Sequence, residues 1–331
     1  MVTPASLTMC PACRCGDAEQ LAGRDALLAE VEALWAFRLR RLRPAVPIAG
    51  LVDRLVFTQP PPHAVLRCRA CGTLRREPAE RGIREAYARD ALCTSALPRL
   101  SQLGRAVLAA RVERLTALLG RPGAGLEVGP YAGAFLAAAE AGGWRFEGVD
   151  VNPGVVRFLR ARGLRAACGS LEDVPAHARF DVIAIWNCFE QLEDPCGMLR
   201  LVRGRLQPGG LLALRTPNGA FYATLRPRLT GRAAPLVRAL LAHSNLLGFP
   251  YRHAFCIDAL MGLLRAHGFR IVRTLGDALV PLADEWTPAW AAVEERVLRL
   301  MVRAAVGLAA LAGGGTALAP WLEVYARAEA P

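Results

Sequence analysis

The sequence predicts an α/β fold in which a doubly wound, mostly parallel sheet follows a small cysteine-bearing region and a helical stretch. From residue 124 onward, apolar segments of strand length alternate with helical segments, which is typical of a parallel sheet with helices on both faces. Two Cys-x-x-Cys pairs lie ahead of that alternation. With 331 residues and 53% apolar content, the chain is long enough to bury a substantial core.

The first region carries the pairs CPAC and CRACG, which contain Cys10, Cys13, Cys68 and Cys71. Two such knuckles supply four thiolates to a tetrahedral zinc ion, so we predict a zinc-ribbon-like module over residues 1–80, with an insertion between the pairs. Cys15 is an alternative ligand to Cys13, because CPACRCG offers both. The competing interpretation is four unrelated thiols in a reducing compartment.

A helical pattern follows the second cysteine pair and ends at the turn sequence Gly-Arg-Pro-Gly, residues 120–123. Glycine and proline in succession end a helix and mark a loop. We therefore expect a helical connector over residues 81–123 and a second domain over residues 124–331. The apolar stretch 304–322 is expected to form a buried helix and a loop rather than a membrane span, because it contains several glycines and a proline.

The stretch LEVGPYAGAF runs from an apolar strand into Gly129 and Gly133 and then into a helix. Backbone N–H groups at such a helix start are open to a ligand only where side chains are missing. The loop lacks the middle glycine of a GxGxxG turn, so a pyrophosphate fits it badly. Asp150 ends the next strand and suits a ribose diol, with helix capping as the alternative role.

Six segments in order resemble the class I S-adenosylmethionine-dependent methyltransferases over residues 125 to about 275: LEVGPYAGAFL, GVDVNPGVVRFLR, CGSLEDVP, FDVIAIWNCFEQLEDP, LQPGGLLALRTPN and LLRAHGFRIV. CPAC with CRACGTL is similar to a ribbon found ahead of this domain in members that act in sugar and secondary metabolism. NLLGFPYRHAF, residues 245–255, looks like a segment of those same members. The resemblance implies a seven-stranded, Rossmann-like methyltransferase sheet and S-adenosyl-L-methionine as cofactor.

The resemblance also implies which residues bind the cofactor. It implies that the methionine part of the cofactor lies against Glu127, Gly129, Tyr131 and Gly133. It places the ribose against Asp150 and Val151, the adenine against Ser170 and Leu171, and the sulfonium against Asn187. The chain departs from the family at Tyr131, where relatives have glycine, and at Gln191, where many have histidine. Glu127 has an alternative role as partner of an arginine, and Asn187 as an ordinary residue at a helix start.

Residues 219–254 lie between the fifth strand and the last helix of the resemblance, and long insertions there often cover a substrate. A packed helical hairpin is the alternative. His253 is our candidate base for a hydroxyl acceptor, with Glu190, His243 or Tyr222 behind it. A hydrogen-bonded loop histidine without a catalytic role is the competing interpretation.

Composition narrows the function. The chain has a net charge of +12 and contains no lysine. The absence of lysine excludes Schiff-base chemistry, Walker-type phosphate loops and Ser-Lys catalysis. We expect methyl transfer to a small-molecule acceptor, a sugar or secondary metabolite, on oxygen. The alternatives are an RNA methyltransferase that binds RNA through the ribbon and the arginines, and a non-catalytic scaffold. No export segment opens the chain, so a cytoplasmic location without a membrane partner is expected.

Overall fold

The computed structural model describes residues 9–43, 62–77, 87–89, 97–102, 105–244, 252–279, 281, 283, 285–311, 316 and 319–329. Residues 245–251, the first part of the NLLGFPYRHAF segment, lie outside that set.

The described residues form two sheets. Their strands are β1 (Ala18–Gly23), β2 (Ala64–Cys68), β3 (Leu74–Glu77), β4 (Ala124–Val128), β5 (Arg145–Asp150), β6 (Ala166–Cys168), β7 (Phe180–Trp186), β8 (Leu206–Pro217), β9 (His253–Ala254), β10 (Phe269–Asp277) and β11 (Trp321–Ala328). The helices are α1 (Arg24–Leu39), α2 (Leu97–Leu100), α3 (Arg105–Leu119), α4 (Ala134–Ala141), α5 (Pro153–Ala161), α6 (Pro195–Arg205), α7 (Gly219–Leu225), α8 (Ala234–His243), α9 (Ile257–Ala266) and α10 (Ala289–Leu311). Short 3-10 helices span Leu171–Asp173, Phe189–Gln191 and Arg226–Leu229.

The larger sheet has seven strands in the order β10-β11-β8-β7-β4-β5-β6. The pairs from β8 to β6 are parallel, and β11 runs antiparallel to both of its neighbours. The central strand β7 is almost entirely buried, as expected for a parallel strand covered on both faces. This architecture confirms the predicted fold class, and the order of the strands reverses between β4 and β7, where ligands bind in such sheets.

The smaller sheet joins three N-terminal strands to a short strand from much later in the chain. Its order is β1-β2-β3-β9, with antiparallel pairing throughout. In β3, Leu74 pairs with Ala254 and Arg75 pairs with His253. The cysteine-bearing region is therefore built directly onto the segment between β8 and α9.

Apolar side chains form three buried clusters. Two of them cover the two faces of the large sheet. The third combines β1, α1, β2 and β3 with α7, α8, β9 and α10, and includes Leu27, Phe37, Leu74, Phe221 and Val237. We call this third cluster the shared core, since it packs the N-terminal elements against the helices between β8 and β9. The proposed domain limits at residues 80 and 123 remain a prediction.

The C-terminal stretch differs from its expected structure. The expectation of a buried helix over the first part of residues 304–322 is wrong, because Leu308 and Leu311 at the end of α10 are 67% and 87% exposed. Most of the expected loop lies outside the described residues, and the last two residues of the stretch, Trp321 and Leu322, begin β11. Among the described helices, none has the length and apolar character needed to cross a bilayer.

Candidate active site

The glycine loop connects β4 to α4 at the point where the strand order reverses. Gly129 and Gly133 have φ angles of 71° and 69°, which glycine adopts without strain. A Cβ on Gly133 would lie 2.3 Å from Leu159 Cδ2, and one on Gly129 would lie 3.1 Å from Cys188 Sγ. Tyr131 between them also has a positive φ of 45°. The two glycines thus allow the loop backbone to pack closely against Leu159 and Cys188, where a side chain on the loop would clash or be crowded.

Glu127 is buried inside β4, and its Oε2 has no hydrogen-bond partner among the described residues. Burial, with a smaller contribution from Asp150, raises the pKa of this carboxyl to about 8 against the opposing effect of Arg111. No salt bridge joins Glu127 to an arginine in the described chain, which was the alternative role. A buried carboxylate of this kind is stabilised when a cationic group binds beside it.

Asp150 ends β5 with a buried carboxyl whose oxygens accept hydrogen bonds from Asn152 N at 2.9 Å and from Tyr87 Oη at 3.4 Å. Burial raises its pKa to about 6, against the opposing effects of the backbone N–H groups of Asn152 and Tyr131 and of the Tyr87 hydroxyl. Asn152, rather than Asp150, caps α5, since its side chain accepts from Gly154 N and Val155 N. Helix capping therefore does not account for Asp150. Tyr87 is a neighbour that the sequence did not reveal.

The next two candidate residues follow β6. Ser170 opens a 3-10 helix and donates from its backbone N–H and its hydroxyl to Asp173 Oδ2, at 2.8 and 3.1 Å. The side chain of Leu171 is fully buried in the core under the sheet. Val151 directly follows β5, and its carbonyl lies 4.0 Å from Cys168 Sγ. These residues line the carboxyl ends of the two outermost parallel strands.

Asn187 directly follows β7 and has a φ of 60°. Its Oδ1 accepts a hydrogen bond from Arg215 Nη1, and its carbonyl accepts one from Gln191 Nε2 at 3.1 Å. Cys188 beside it donates to Val128 O at 3.3 Å. Burial raises the pKa of the Cys188 thiol, and Glu190, Asp150 and Glu127 all add to that rise. Three acidic residues from separate elements, Glu190, Asp150 and Glu127, thus act on the Cys188 thiol.

The strand that carries His253 lies against the 3-10 helix that carries Glu190 and against Leu192, which follows that helix. The backbone N–H of Arg252 donates to Glu190 O at 3.3 Å, and His253 Nε2 lies 3.1 Å from Leu192 O. Both Glu190 oxygens and His253 Nδ1 are buried without a hydrogen-bond partner in the described chain. Burial raises the pKa of Glu190 to about 7 and lowers that of His253 to about 4, the latter with help from Arg252. The histidine is therefore neutral near pH 7, with its Nε2 proton directed at Leu192.

Tyr222 lies elsewhere, in the shared core. Its hydroxyl donates to Glu30 Oε2, and Glu30 in turn contacts Arg226 at 2.6 Å. Burial raises the pKa of Tyr222 well above its ordinary value. His243 is also in that core, against Phe37 and 3.8 Å from Glu295. The structure does not bring these two side chains together with His253.

Arg215, which donates to Asn187, belongs to a buried ion network. Arg215 donates to Asp277 Oδ2 at 2.7 Å, and Arg111 donates to Asp277 at 2.7 Å and to Glu323 at 2.8 Å. Arg114 completes the network on Glu323. Burial alone would raise the pKa of Asp277, but Arg215 and Arg111 lower it to about 2. The network connects α3 to β8, β10 and β11 and was not foreseen from the sequence.

The four paired cysteines meet in one cluster. The Sγ atoms of Cys10, Cys13, Cys68 and Cys71 lie within 4.8 Å of one another. Two of these contacts are 3.5 Å, between Cys10 and Cys71, and 3.6 Å, between Cys13 and Cys68. Sulfur atoms bound tetrahedrally to zinc at about 2.3 Å stand about 3.8 Å apart, so this donor set fits zinc. Cys15 is outside the cluster and contacts Asp17 instead.

Comparison with solved structures found several methyltransferases. One is an S-adenosylmethionine-dependent methyltransferase from Mesorhizobium loti, 18% identical, with 66% of this chain and 99% of that chain covered at a TM-score of 0.44. Another, from Archaeoglobus fulgidus, is 17% identical, with 68% and 94% covered at 0.43. The 1,6-didemethyltoxoflavin-N1-methyltransferase of Burkholderia thailandensis is 17% identical, with 81% and 96% covered at 0.46. Likenesses of this size carry no conclusion about the acceptor.

Sequence comparison gives the assignment. No curated protein sequence matches the chain. The family model described as a methyltransferase domain matches residues 101–274, which is more than half of the 331 residues. The matched range contains the glycine loop, Asp150, Asn187 and the His253 strand. The chain belongs to this methyltransferase-domain family, and it is a class I enzyme that uses S-adenosylmethionine.

Proposed function

We propose that the protein transfers the methyl group of S-adenosylmethionine to a hydroxyl oxygen of a small-molecule acceptor, a sugar or a secondary metabolite. The observation that carries this proposal is the neutral, buried His253, whose strand lies against the 3-10 helix of Glu190, at the carboxyl end of β7. A histidine held at Nε2 by a carbonyl presents its Nδ1 lone pair to a proton donor. A hydroxyl is the acceptor group that gains most from such a base.

The residues on the opposite side of the site fit the cofactor. Glu127, whose Oε2 has no hydrogen-bond partner in the described chain, would face the ammonium group, and the backbone turn at Gly129 and Gly133 would lie along the methionine part. Asp150 and Val151 would hold the ribose, Ser170 and Leu171 the adenine, and Asn187 with Tyr131 the region of the sulfonium. When bound, the cofactor supplies an electrophilic methyl group. The chain's contribution is alignment and exclusion of water, since methyl transfer is an in-line displacement.

On the acceptor side, the proposed reaction moves one proton. As the bond between the acceptor oxygen and the methyl carbon forms, the bond between that carbon and sulfur breaks, and the hydroxyl proton passes to His253 Nδ1. The backbone carbonyl of Glu190 accepts from Arg252 N, one residue before His253. Burial raises the pKa of the Glu190 carboxyl to about 7. Tyr222 has no role in this proposal, because its hydroxyl is bound to Glu30.

We further propose that Cys10, Cys13, Cys68 and Cys71 hold one structural Zn²⁺, supported by the fit of their sulfur spacing to a tetrahedral site. The four cysteine sulfurs would occupy all four coordination positions of the zinc ion, which leaves none open for a substrate. The ion would stabilise the two knuckles.

Several arginines that could form an RNA surface are engaged inside the protein. Arg226 contacts Glu30 at 2.6 Å, Arg252 contacts Glu193, and Arg111 and Arg215 belong to the ion network. Affinity for RNA comes largely from exposed basic groups that reach phosphates. These internal pairs favour the small-molecule acceptor over the RNA alternative.

The test is an assay with isotopically labelled S-adenosylmethionine and a panel of nucleotide sugars, phenols, alcohols and amines, with bulk RNA as a parallel sample. We expect label in a hydroxyl-bearing small molecule. Label in RNA, with salt-dependent RNA binding, would support the alternative instead. Failure of the purified protein to bind S-adenosylmethionine by calorimetry would leave only the scaffold interpretation.

Asp150 provides a prediction about the cofactor half. We expect Asp150→Ala to weaken S-adenosylmethionine binding about 100-fold, because hydrogen bonds to a charged acceptor contribute roughly 1.5–3 kcal/mol each. Isothermal calorimetry measures this. Glu147→Ala is the control, since Glu147 lies in the same strand but faces solvent. Equal affinities for the Asp150→Ala variant and the wild type would remove the ribose role from Asp150.

A further inference from the structure

The second cysteine knuckle leads directly into β3, which pairs with the strand that holds His253. Cys71 is followed by Gly72, which has a φ of 74°, and β3 begins two residues later. β3 pairs with β9 through Leu74 and Arg75, and Arg76 N donates to Arg252 O at 3.1 Å. Only a few residues of backbone therefore separate a cysteine of the cluster from the histidine of the acceptor side.

A side chain reinforces this connection. Cys256 directly follows Phe255, and its thiol donates to Cys71 O at 2.8 Å. It also lies against Gly72, where a Cβ would be 3.7 Å from Cys256 Sγ. Cys256 precedes α9 as its N-terminal cap residue. The segment around His253 is thus attached to the second knuckle at its Cys256 end and to β3, which follows that knuckle, at its Arg252 end.

The same segment contacts the acceptor-side residues on its other edge. Arg252 N donates to Glu190 O at 3.3 Å, His253 Nε2 contacts Leu192 O, and Gly219 N donates to Phe255 O at 2.9 Å. The cofactor side is held differently. Gly129 N donates to Val149 O, and Gly169 N donates to Asp150 O, both at 2.9 Å and both within the large sheet.

We propose that metal binding by the four cysteines positions β9, and with it His253 and Glu190, while the cofactor half of the site is independent of the metal. Cys256 is a positioning residue in this arrangement, because it joins the knuckle to the end of the segment. The assignment of His253 and Glu190 to the acceptor rests on the function proposed above. The mechanical coupling between knuckle and strand does not.

Residue-resolved hydrogen exchange on the full chain, zinc-loaded and chelator-stripped, tests the coupling without any acceptor. We expect metal removal to accelerate exchange at least tenfold at the amides of Arg76, Arg252 and Gly219. The amides of Gly129 and Gly169 are expected to change less than twofold, and affinity for S-adenosylhomocysteine less than threefold. Unchanged exchange at the first three amides would overturn the proposal. An equal acceleration at Gly129 would overturn it as well, since the metal would then stabilise the whole fold without selectivity.

Three variants separate positioning from general stability while leaving the four ligands intact. Cys256→Ala removes the thiol bond to Cys71 O, Cys256→Ser restores a donor, and Cys196→Ala removes a comparable thiol contact, 3.5 Å to Pro11 O on the first knuckle. With an acceptor from the panel above, we expect Cys256→Ala to lower kcat about tenfold at full zinc content and unchanged cofactor affinity. The kcat of Cys256→Ser is expected to lie within threefold of the wild-type value, and the kcat of Cys196→Ala is expected to equal the wild-type value.

These variants also distinguish the two proposals. If no small molecule is methylated, the proposed acceptor is wrong, and exchange at Arg252 and Gly219 in Cys256→Ala still decides the coupling. Equal loss in Cys196→Ala and Cys256→Ala, or no recovery with serine, would contradict a specific route through the second knuckle.

Discussion

His253→Ala is expected to lower kcat about 100-fold or more, with little change in affinity for S-adenosylmethionine, because general-base catalysis typically contributes at least that factor. Burial and Arg252 hold the pKa of His253 at about 4, so the imidazole is neutral above that pH. The wild-type rate should therefore fall below about pH 5 as the histidine takes up a proton, and the variant should lack that fall. Steady-state kinetics between pH 4 and 9 measure both effects.

The control for this experiment is His267→Ala. His267 also bonds a backbone carbonyl, with Nδ1 2.8 Å from Leu263 O at the end of α9. It therefore reports the cost of losing a histidine to carbonyl bond away from the site. An active His253→Ala enzyme with wild-type turnover and pH profile would rule out the base.

Asp277→Ala should destabilise the fold by about 3–5 kcal/mol, because it removes the carboxylate that compensates two buried guanidinium groups. Both Arg215 and Arg111 donate to this side chain at 2.7 Å. Urea denaturation at pH 7 measures the loss. The free energy of unfolding of Asp277→Asn should lie between those of Asp277→Ala and the wild type, since asparagine keeps an oxygen acceptor without the charge.

The effect has a defined pH dependence. Because the folded-state pKa of Asp277 is lowered to about 2 from an ordinary 3.8, the stabilisation is fully present above about pH 4 and is lost as pH falls toward 2. The difference between wild type and Asp277→Ala should therefore shrink at pH 3. Asp258→Ala, which removes an exposed carboxylate, should change stability by less than about 0.5 kcal/mol at pH 7. A similar cost for Asp258→Ala and Asp277→Ala would show that the ion network contributes no more than a surface charge.

Local patterns were enough to predict much of the fold and part of the site. The strand that precedes Gly129 and the acid that ends the next strand follow from apolar runs and turn residues within about 25 positions of one another. The spacing of the cysteine pairs likewise predicted which four sulfurs meet. In each case the relevant residues are close in sequence or belong to a motif that occurs twice, the Cys-x-x-Cys pair.

The remaining features depend on contacts between distant parts of the chain. Arg111 and Glu323 are 212 positions apart, and neither position differs in sequence from an ordinary surface charge. β9 has only two residues, too few to show a strand period. Tyr222 was placed near the site because of its position in the chain, whereas the helix that carries it turns toward Glu30. Such partners follow from tertiary packing, which one sequence does not encode locally.

The shared core has a consequence for engineering. Leu27, Phe37 and Leu74 from the N-terminal region pack with Phe221 and Val237 from the insertion. Swapping only one of these two pieces with a homologue would leave mismatched apolar surfaces in contact. Chimaeras built to change the acceptor must therefore transplant residues 9–77 and 219–256 together and keep the side chains of α10 that pack against them, such as Leu298 and Val302, matched to the transplanted pieces.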